Sequence, residues 1–166
     1  KINEKLEFPV FVKPSNSGSS VGVKKASNLQ ELEEAIKFAS LYDIKILIEQ
    51  GIDARELECA ILGNENVQAS CIGEILPAEE FYSYEAKYKN DNSRVVIPAS
   101  ITDEEERKIK QLAIKAFKSL DAKGLSRVDF LIDRKTGEIY LNEINTMPGF
   151  TKISMYPKLW EKSGIN

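Results

Sequence analysis

Histidine is absent from this chain, and cysteine is nearly so. The lack of histidine excludes Ser-His-Asp catalysis, Cys-His catalysis and histidine-ligated zinc within the chain. Cys59 and Cys71 are too few and too isolated for a disulfide framework, so buried reduced thiols are the favoured interpretation. Any chemistry must therefore rely on lysine, arginine, carboxylates, hydroxyls, backbone amides or a metal ion.

Long apolar runs and blocks of one charge are also missing. No run approaches the ~20 residues of a membrane span and no signal peptide is visible, so we expect a cytoplasmic protein with no membrane partner. Acids and bases are interspersed at a net charge of −3, with no basic arm, so we expect no nucleic-acid partner. The chain starts at Lys1 without methionine, and it ends in a segment typical of the middle of an amphipathic helix. We therefore expect a piece of a longer protein.

Apolar periodicity predicts an α+β fold for the 166 residues. One helix is predicted to begin after Asn28, and another after Thr102, where Glu105 completes a capping box. The segment 77–91 is polar, aromatic and aperiodic, and it predicts a long functional loop. The expected arrangement is antiparallel sheet with helices packed on one face. The predicted strands cover 9–13, 45–50, 56–62, 67–72, 126–133 and 139–145.

Two carboxylates and a carboxamide near the end of the chain form one candidate site. Asp129 lies in the first strand of a predicted hairpin, and Glu143 and Asn145 lie in the second. The latter two share a face because they are two residues apart, and Asp129 joins them only if it pairs opposite Glu143. Three hard oxygen ligands suit Mg²⁺. A solvated polar face on an antiparallel hairpin explains these residues at least as well.

A second candidate site follows the first predicted strand, where Lys13 leads into a loop over 14–22 that is rich in serine and glycine. Glycine lets backbone N–H groups surround an anion, serine hydroxyls add donors, and Lys13 adds positive charge. The spacing is not that of a Walker A loop. A flexible Ser/Gly tip is the alternative, but a strand that delivers a lysine into the loop favours phosphate.

Four motifs together resemble the D-alanine–D-alanine ligase family of ATP-grasp enzymes. They stand at 12–22 (Val-Lys-Pro-Ser, then Gly-Ser-Ser-Val-Gly), 84–88 (Tyr-Glu-Ala-Lys-Tyr), 126–129 (Ser-Arg-Val-Asp) and 142–151 (Asn-Glu-Ile-Asn-Thr-Met-Pro-Gly-Phe-Thr). The motifs occur in the family's order and with family-like spacing over almost the whole chain. Any one of them is a weak signal, whereas the set is specific.

The resemblance implies a fold and a reaction. The fold is two lobes with antiparallel sheets and packed helices that grip ATP, with 1–54 as part of the central lobe and 55–166 as the C-terminal lobe. ATP would phosphorylate the carboxylate of one D-alanine, and the amine of a second would displace phosphate to give a dipeptide for peptidoglycan synthesis. The family's N-terminal substrate domain is expected to be absent, the fragment inactive alone, and the full-length protein a homodimer.

The resemblance also assigns residues to ATP. Lys13 would contact phosphate and adenine, and the loop 18–22 would close over the phosphates. Glu49 would accept a hydrogen bond from the adenine amino group, and Glu56 would bind the ribose. The further residues assigned to the nucleotide, through the loop, backbone groups or packing on the purine, are Gly18, Ser20, Gln50, Ile52, Phe81 and Leu131.

Metal and oxyanion roles follow from the same motifs. Asp129, Glu143 and Asn145 would bind two Mg²⁺ ions, with Glu143 bridging them and Mn²⁺ as an accepted substitute. Arg127 and the backbone N–H of Gly149 would stabilise the tetrahedral oxyanion that forms when the amine attacks. A structural ion pair is the alternative role for Arg127.

Substrate roles fall on four residues by the same resemblance. Ser19 would help to hold the loop on the substrate side, and Lys87 and Ser154 would hold the carboxylate of the second D-alanine. Ser154 could instead merely cap the helix that begins near Met155. Tyr88 completes a Glu-Ala-Lys-Tyr loop that resembles ligases with D-alanine as acceptor. The alternatives are another ATP-grasp ligase, such as a D-alanine–D-lactate type, or a non-catalytic nucleotide-binding module.

Overall fold

A computed structural model describes residues 5–76 and 94–165 of the chain. The described residues fall into two compact units, of which unit 1 comprises 5–52 and unit 2 comprises 53–76 and 94–165. Contacts thus divide the chain after Ile52, two residues before the boundary expected from the sequence. The predicted loop over 77–91 lies outside the described residues.

Unit 1 is a three-stranded antiparallel sheet with one helix. Its elements are β1 (Val10–Pro14), β2 (Lys24–Ala26), α1 (Leu29–Ala39) and β3 (Ile46–Gln50). β1 lies in the centre, between β2 and β3. The side chain of Asn28 accepts a hydrogen bond from the backbone N–H of Glu31, as its position at the start of the helix predicts.

The core of unit 1 forms between α1 and one face of β1. Val10 and Val12 are buried there against Leu32 and Ala35 of the helix. Because side chains alternate along a strand, Phe11 and Lys13 lie on the opposite face. The unit thus keeps Lys13 away from its apolar core, on a face that also carries Glu49, the cross-strand partner of Phe11.

Unit 2 is built on a five-stranded antiparallel sheet in the order β6-β5-β4-β7-β8. Its elements in chain order are β4 (Ala54–Gly63), β5 (Gln68–Leu76), β6 (Arg94–Val96), α2 (Asp103–Ser119), β7 (Gly124–Asp133), β8 (Ile139–Asn145) and α3 (Met155–Lys162). The predicted strand at 67–72 therefore begins one residue later and continues to Leu76. The short strands β2 and β6 were not predicted, because three residues carry too little periodicity.

One face of this sheet packs on α2. Phe117 of the helix is fully buried with Phe130 of β7 and Leu57 of β4. The helix begins at the predicted cap: the Thr102 hydroxyl accepts from the N–H of Glu105, whose carboxylate accepts from the N–H of Thr102. This cap satisfies two backbone donors that the first turn of a helix leaves without partners.

The helix α3 packs on the other face of the sheet, so the expectation that the helices share one face is wrong for unit 2. Leu159 and Trp160 are buried against Ala60, whose neighbours in β4 on either side face α2. A side chain at Gly73 would meet Leu159 at 2.9 Å, so a glycine lets α3 approach β5 closely. Each face of the sheet has an apolar area, and each area needs a helix to cover it.

No helix within the described residues is both long and apolar enough to cross a membrane.

Candidate functional site

The predicted pairing of the last hairpin is confirmed. Asp129 of β7 lies directly opposite Glu143 of β8, and Arg127 lies opposite Asn145. The amide Nδ2 of Asn145 donates to Asp129 Oδ2 at 3.1 Å and to Glu143 Oε1 at 3.2 Å. The two carboxylates and the carboxamide therefore converge on one face of the sheet.

A shift of register in β8 makes this convergence compatible with the core. Asp129 pairs with Glu143, whereas the next residue of β7, Phe130, pairs with Leu141, which leaves Asn142 as an extra residue in β8. Such a bulge restores the alternation of faces after one inserted residue. Ile139 and Ile144, on either side of it, can therefore both pack against the buried core.

Arg127 is held on the same face by two acidic side chains. Its Nε and Nη2 donate to Asp129 Oδ1 and Oδ2, each at 2.7 Å. Its Nε also lies 3.1 Å from Oε2 of Glu58, which is the cross-strand neighbour of Asp129 in β4. We call the surface formed by Glu58, Arg127, Asp129, Glu143 and Asn145 the charged face.

The charged face favours positive charge. Burial alone would lower the pKa of Arg127, but hydrogen bonds with Asp129 and the negative charges of Asp129, Glu58 and Glu143 outweigh it and raise the pKa. Three carboxylates thus surround one guanidinium, which leaves two negative charges in excess. An excess of negative charge and of oxygen acceptors is what a hard divalent cation requires.

The donor set of the charged face fits Mg²⁺. Asp129 and Glu143 supply carboxylate oxygens from paired strands, and Asn145 supplies a carboxamide whose oxygen would be a neutral ligand once the amide turns, since its nitrogen now faces both carboxylates. No group of three or more His, Cys, Asp or Glu side chains suited to a metal occurs in the described parts of the chain. A metal site on this face would therefore need the Asn145 amide as its third ligand, and that role stays a prediction.

The residues predicted to bind ribose and purine lie beside this cluster. Glu56 of β4 pairs directly with Leu131 of β7. Each is two residues from a member of the charged face, Glu58 and Asp129 respectively, so side-chain alternation places all four on the same side of the sheet. Both Glu56 and Leu131 are half-buried.

In unit 1, two residues that are predicted to contact ATP through charged side chains, Lys13 and Glu49, form an ion pair with each other. Nζ of Lys13 lies 2.8 Å from Oε2 of Glu49, and both side chains are partly exposed. The register of β1 and β3 pairs Lys13 with Leu47 and Phe11 with Glu49, so the ion pair runs diagonally across one sheet face. Lys13 and Glu49 therefore share a surface, and their roles towards ATP stay predictions.

The loop after β1 contains two tight turns in succession. The N–H of Val21 bonds to the carbonyl of Gly18, and the N–H of Val23 bonds to that of Ser20. Ser19, Ser20 and Gly22 all have positive φ, at 53°, 59° and 78°. Consecutive residues in this conformation turn their backbone N–H groups towards one side, the arrangement that binds anions.

The side chain of Gln50 faces away from Lys13 and Glu49. Its amide accepts from the N–H of Glu7 at 2.9 Å and donates to the carbonyl of Glu7 at 2.8 Å. The side chain of Gln50 is thus engaged by Glu7, and the predicted backbone contacts of Gln50 and Ile52 with a purine stay a prediction.

The structure brings Ser154 and Gly149 together. A side chain on Gly149 would lie 3.0 Å from the Ser154 hydroxyl. Ser154 precedes α3 but makes no side-chain cap for it. Its hydroxyl instead accepts from the N–H of Thr151 at 3.0 Å and lies 2.8 Å from the Thr151 hydroxyl. The alternative role of Ser154 as a simple helix cap is therefore wrong.

Three predicted site residues, Phe81, Lys87 and Tyr88, lie outside the described residues. Sequence reasoning missed two residues that contact the predicted site: Glu58, which contacts Arg127, and Thr151, which contacts Ser154. The alternation of Glu56 and Glu58 in one strand was the available signal for Glu58. Thr151 closes the fourth motif, but its spacing to Ser154 suggested only the start of a helix.

Comparison with known proteins gives a consistent result. The family described as D-ala D-ala ligase C-terminus matches residues 1–166. A D-alanine–D-alanine ligase from Acetivibrio thermocellus is 58% identical over 100% of this chain and 44% of its own length. One from a Thermoanaerobacter species is 60% identical over 97% of this chain and 45% of its own length.

Solved structures agree on the fold. The VanG D-Ala:D-Ser ligase from Enterococcus faecalis matches 98% of this chain and 47% of its own, with a TM-score of 0.87 and 37% identity. The D-alanine–D-alanine ligase from Coxiella burnetii matches 95% of this chain and 41% of its own, with a TM-score of 0.82 and 38% identity.

The chain therefore spans less than half the length of these relatives. The match to the family extends from the first residue to the last, and the four motifs, the antiparallel sheets and the hairpin register all fall within it. The fold is the ATP-grasp fold of these ligases, and the chain belongs to the D-ala D-ala ligase C-terminus family.

Proposed function

We propose that this chain is the ATP- and Mg²⁺-binding portion of a D-alanine–D-alanine ligase, an ATP-dependent carboxylate–amine ligase of peptidoglycan synthesis. The observation that carries the proposal is the charged face, where Asp129, Glu143 and Asn145 meet beside Arg127. A nucleotide-binding module without turnover would need neither the paired ligands nor the guanidinium beside them. Cytoplasmic placement is part of the proposal and rests on the need for ATP.

In the proposed reaction, ATP transfers its γ-phosphoryl group to the carboxylate of one D-alanine and leaves as ADP. The amine of a second D-alanine then attacks the acyl carbon, and phosphate leaves as the peptide bond forms. A divalent cation, when bound, neutralises charge on the phosphates. Asp129, Glu143 and Asn145 hold two Mg²⁺ ions in this proposal, and Mn²⁺ serves as a substitute.

The other residues of the site position the substrates and offset their charge. Lys13 and the loop 18–22, including Ser20, bind phosphate, while Glu49 and Glu56 recognise adenine and ribose. Arg127 stabilises the negative charge that develops on the acyl oxygen, because a fixed cation in a half-buried setting costs no reorganisation during the reaction. The backbone N–H of Gly149 adds a second donor to that oxygen.

Ser154 is proposed to bind the carboxylate of the second D-alanine, and its contact with Thr151 supports this role. Thr151 fixes the hydroxyl of Ser154 near Gly149, where an oxyanion donor is also proposed. Ser19, Lys87 and Tyr88 complete the proposed substrate contacts. D-alanine is proposed as the acceptor because of the Glu-Ala-Lys-Tyr motif at 85–88, and the full-length protein is proposed to be a homodimer.

The test uses the full-length protein with Mg-ATP and D-alanine. Release of phosphate and formation of D-alanyl-D-alanine, detected by mass spectrometry, are the expected results. Equimolar D-serine or D-lactate as competing acceptor should leave the dipeptide as the main product. Phosphate release without any ligated product would contradict the proposal, and a preference for D-serine or D-lactate would contradict its choice of acceptor. Light scattering during chromatography tests the dimer.

A further inference from the structure

Glu58 is a buried carboxylate at the centre of the charged face that the proposed function does not use. It is 5% exposed, and it pairs directly with Asp129 across β4 and β7. Its Oε2 lies 3.1 Å from Nε of Arg127. A carboxylate in so little water requires a charged partner, and Arg127 is one that the structure provides.

Arg127 is therefore held from two neighbouring strands. Asp129 binds it in a bidentate manner from β7, at 2.7 Å for both contacts. Glu58 contacts it from β4 at the same nitrogen, through an ionic contact rather than a hydrogen bond, because the single Nε–H donates to Asp129. The two acids differ in position: Asp129 accepts from Asn145 and pairs with Glu143 of β8, whereas Glu58 lies on β4, one strand further from β8.

This difference matters when a cation engages Asp129. A cation that binds Asp129 takes some of the lone-pair sites of that carboxylate, so fewer remain for the guanidinium and an arginine held by Asp129 alone would be held less firmly. Glu58 contacts the same guanidinium from β4, which lies one strand further from β8 than Asp129 does. It can keep Arg127 in place while Asp129 binds the metal.

A second acid–arginine pair in the same unit has similar burial but lies away from the charged face. Arg55 of β4 binds Glu74 of β5 in a bidentate manner at 2.7 Å, and Nη2 of Arg55 also donates to the carbonyl of Ser100. Glu74 is 6% exposed, which closely matches Glu58. Arg55 pairs with Ile132, which faces the α2 core, so this pair lies on the sheet face opposite the charged face.

We propose that Glu58 is a positioning residue that holds the Arg127 guanidinium at the site while Asp129 coordinates a divalent cation. The inference rests on the proposed function. Within it, Glu58 balances the charge of Arg127, so that Asp129 does not have to serve both Arg127 and the metal ion. Removal of the Glu58 charge leaves Arg127 to bind Asp129 more strongly and to repel the cation.

The test compares wild type with Glu58→Gln in the full-length protein, since glutamine keeps the shape and removes the charge. We expect the Mn²⁺ dissociation constant, measured by electron paramagnetic resonance in the presence of ADP, to rise about tenfold because an uncompensated charge stands near the metal. We expect kcat for the ligase reaction to fall about tenfold, with the KM for ATP changed by less than about twofold.

Glu74→Gln is the matched control, because it removes the charge of an equally buried acid that pairs with an arginine on the other sheet face. It is expected to lower the melting temperature, as Glu58→Gln does, and to leave the Mn²⁺ dissociation constant unchanged. An equal rise in that constant in both variants would overturn the proposal, because it would then reflect general destabilisation.

Glu58→Asp separates position from charge, and it serves if Glu58→Gln does not fold. The shorter side chain keeps its charge but withdraws from Nε, so kcat is expected to fall several-fold while the Mn²⁺ constant stays near that of wild type. If both variants have the kcat of the wild type, this inference is overturned. The proposed function is not, because the wild-type enzyme is active in that case. An inactive parent enzyme would overturn the proposed function and this inference with it.

Discussion

Arg127 illustrates how a single side chain can be charged, half-buried and still available for chemistry. Burial acts to remove its proton, and the carboxylates of Asp129, Glu58 and Glu143 act more strongly to keep it. The pKa of Arg127 is thus raised from a value that is already high, so its charge does not vary over any pH at which the protein is folded. Any pH dependence of the proposed reaction is therefore expected to arise from other groups.

Asp129→Asn is expected to raise the Mn²⁺ dissociation constant by about 100-fold. Loss of a residue that only supports a metal ligand weakens metal binding by about 10–100-fold, and a proposed ligand should reach the upper end of that range. The variant removes a proposed ligand and the bidentate partner of Arg127 together. Manganese titration followed by electron paramagnetic resonance measures the effect.

Asp133→Asn is the control, with the same change of charge at the end of the same strand. Asp133 accepts from the N–H groups of Lys135 and Thr136 in the hairpin turn and is not part of the charged face. The Asp133→Asn variant should leave the Mn²⁺ dissociation constant unchanged. A similar loss in both variants would argue against a metal role for Asp129.

Thr151→Val is expected to raise the KM for the second D-alanine about fivefold, the worth of one hydrogen bond of about 1 kcal/mol. Valine keeps the shape of threonine but removes the hydroxyl that lies 2.8 Å from that of Ser154. Steady-state kinetics with varied D-alanine measures it. Thr136→Val, in the turn before β8, is the control and should leave this KM unchanged. If Thr151→Val also left the KM unchanged, the role of Ser154 would not depend on Thr151.

Cys59 contributes a pH-dependent term to stability. Burial is the main cause that raises its pKa from 9.0 to about 12. Below pH 9.0 the thiol is neutral in the folded and unfolded states, and its contribution is complete. As the pH rises above 9.0, the unfolded thiol ionises while the folded one does not, so stability is lost progressively up to about pH 12.

We therefore expect the unfolding free energy of wild type, relative to Cys59→Ala, to decrease between about pH 9 and about pH 10.5. Urea unfolding at several pH values measures this difference, and comparison with the alanine variant removes the contribution of tyrosines and lysines common to both. A difference that stays constant with pH would contradict the buried neutral thiol.

At the scale of the element, the bulge in β8 decides which residues meet Asp129. Alternation alone would place Glu143 and Ile139 on the same face, because they are four residues apart. The extra residue Asn142 lets Ile139 pair with Ile132 on the core side while Glu143 pairs with Asp129 on the charged face. One residue inserted in a strand thus lets Ile139 pack on the core side while Glu143 and Asn145 lie on the charged face.

The helix α2 depends on its capping box as much as on its apolar stripe. Thr102→Ala is expected to lower the unfolding free energy by about 1 kcal/mol, because the N–H of Glu105 loses the hydroxyl that accepts from it. Thr102→Ser keeps the hydroxyl and should cost much less. Urea unfolding of both variants measures the difference, and an equal loss in both would mean that the Thr102 methyl group, rather than the cap, is responsible.

At the scale of the whole molecule, the described residues contain two units whose buried cores have no member in common. The core of unit 1 gathers around Val10 and Val12, whereas unit 2 has one core on each face of its sheet, under α2 and under α3. Strand pairing likewise stays within each unit among the described residues. Each unit therefore has its own source of hydrophobic stabilisation.

Phe117→Ala is expected to destabilise unit 2 by about 3–5 kcal/mol, because a large, fully buried side chain leaves a cavity under the sheet. Hydrogen exchange should show faster exchange in β4, β5 and β7 and little change in β1 and β3. Leu120→Ala, at an exposed position near the end of the same helix, is the control and should change little. Equal acceleration in β1 and β3 would show that the two units unfold together.

Much of this architecture was predictable from local pattern. Helix starts at Asn28 and Thr102, the hairpin at 126–145 and the face shared by Glu143 and Asn145 all follow from rules that act over a few residues. The pairing of Asp129 with Glu143 was stated as a condition, because a slip of one residue would have undone it. The observed register meets that condition through a bulge that no local rule predicts.

The sequence by itself determined the α+β class, the strand and helix periods and the family motifs, because each depends on residues that are close along the chain. Only the tertiary structure decided that Glu58 contacts Arg127, that Thr151 holds Ser154 and that α2 and α3 cover opposite faces. The first and last of these depend on which strands become neighbours and on how apolar faces are buried, and the second on the path of a loop. Such choices minimise exposed apolar surface and unpaired charge over the whole unit, so no short segment contains the information that decides them.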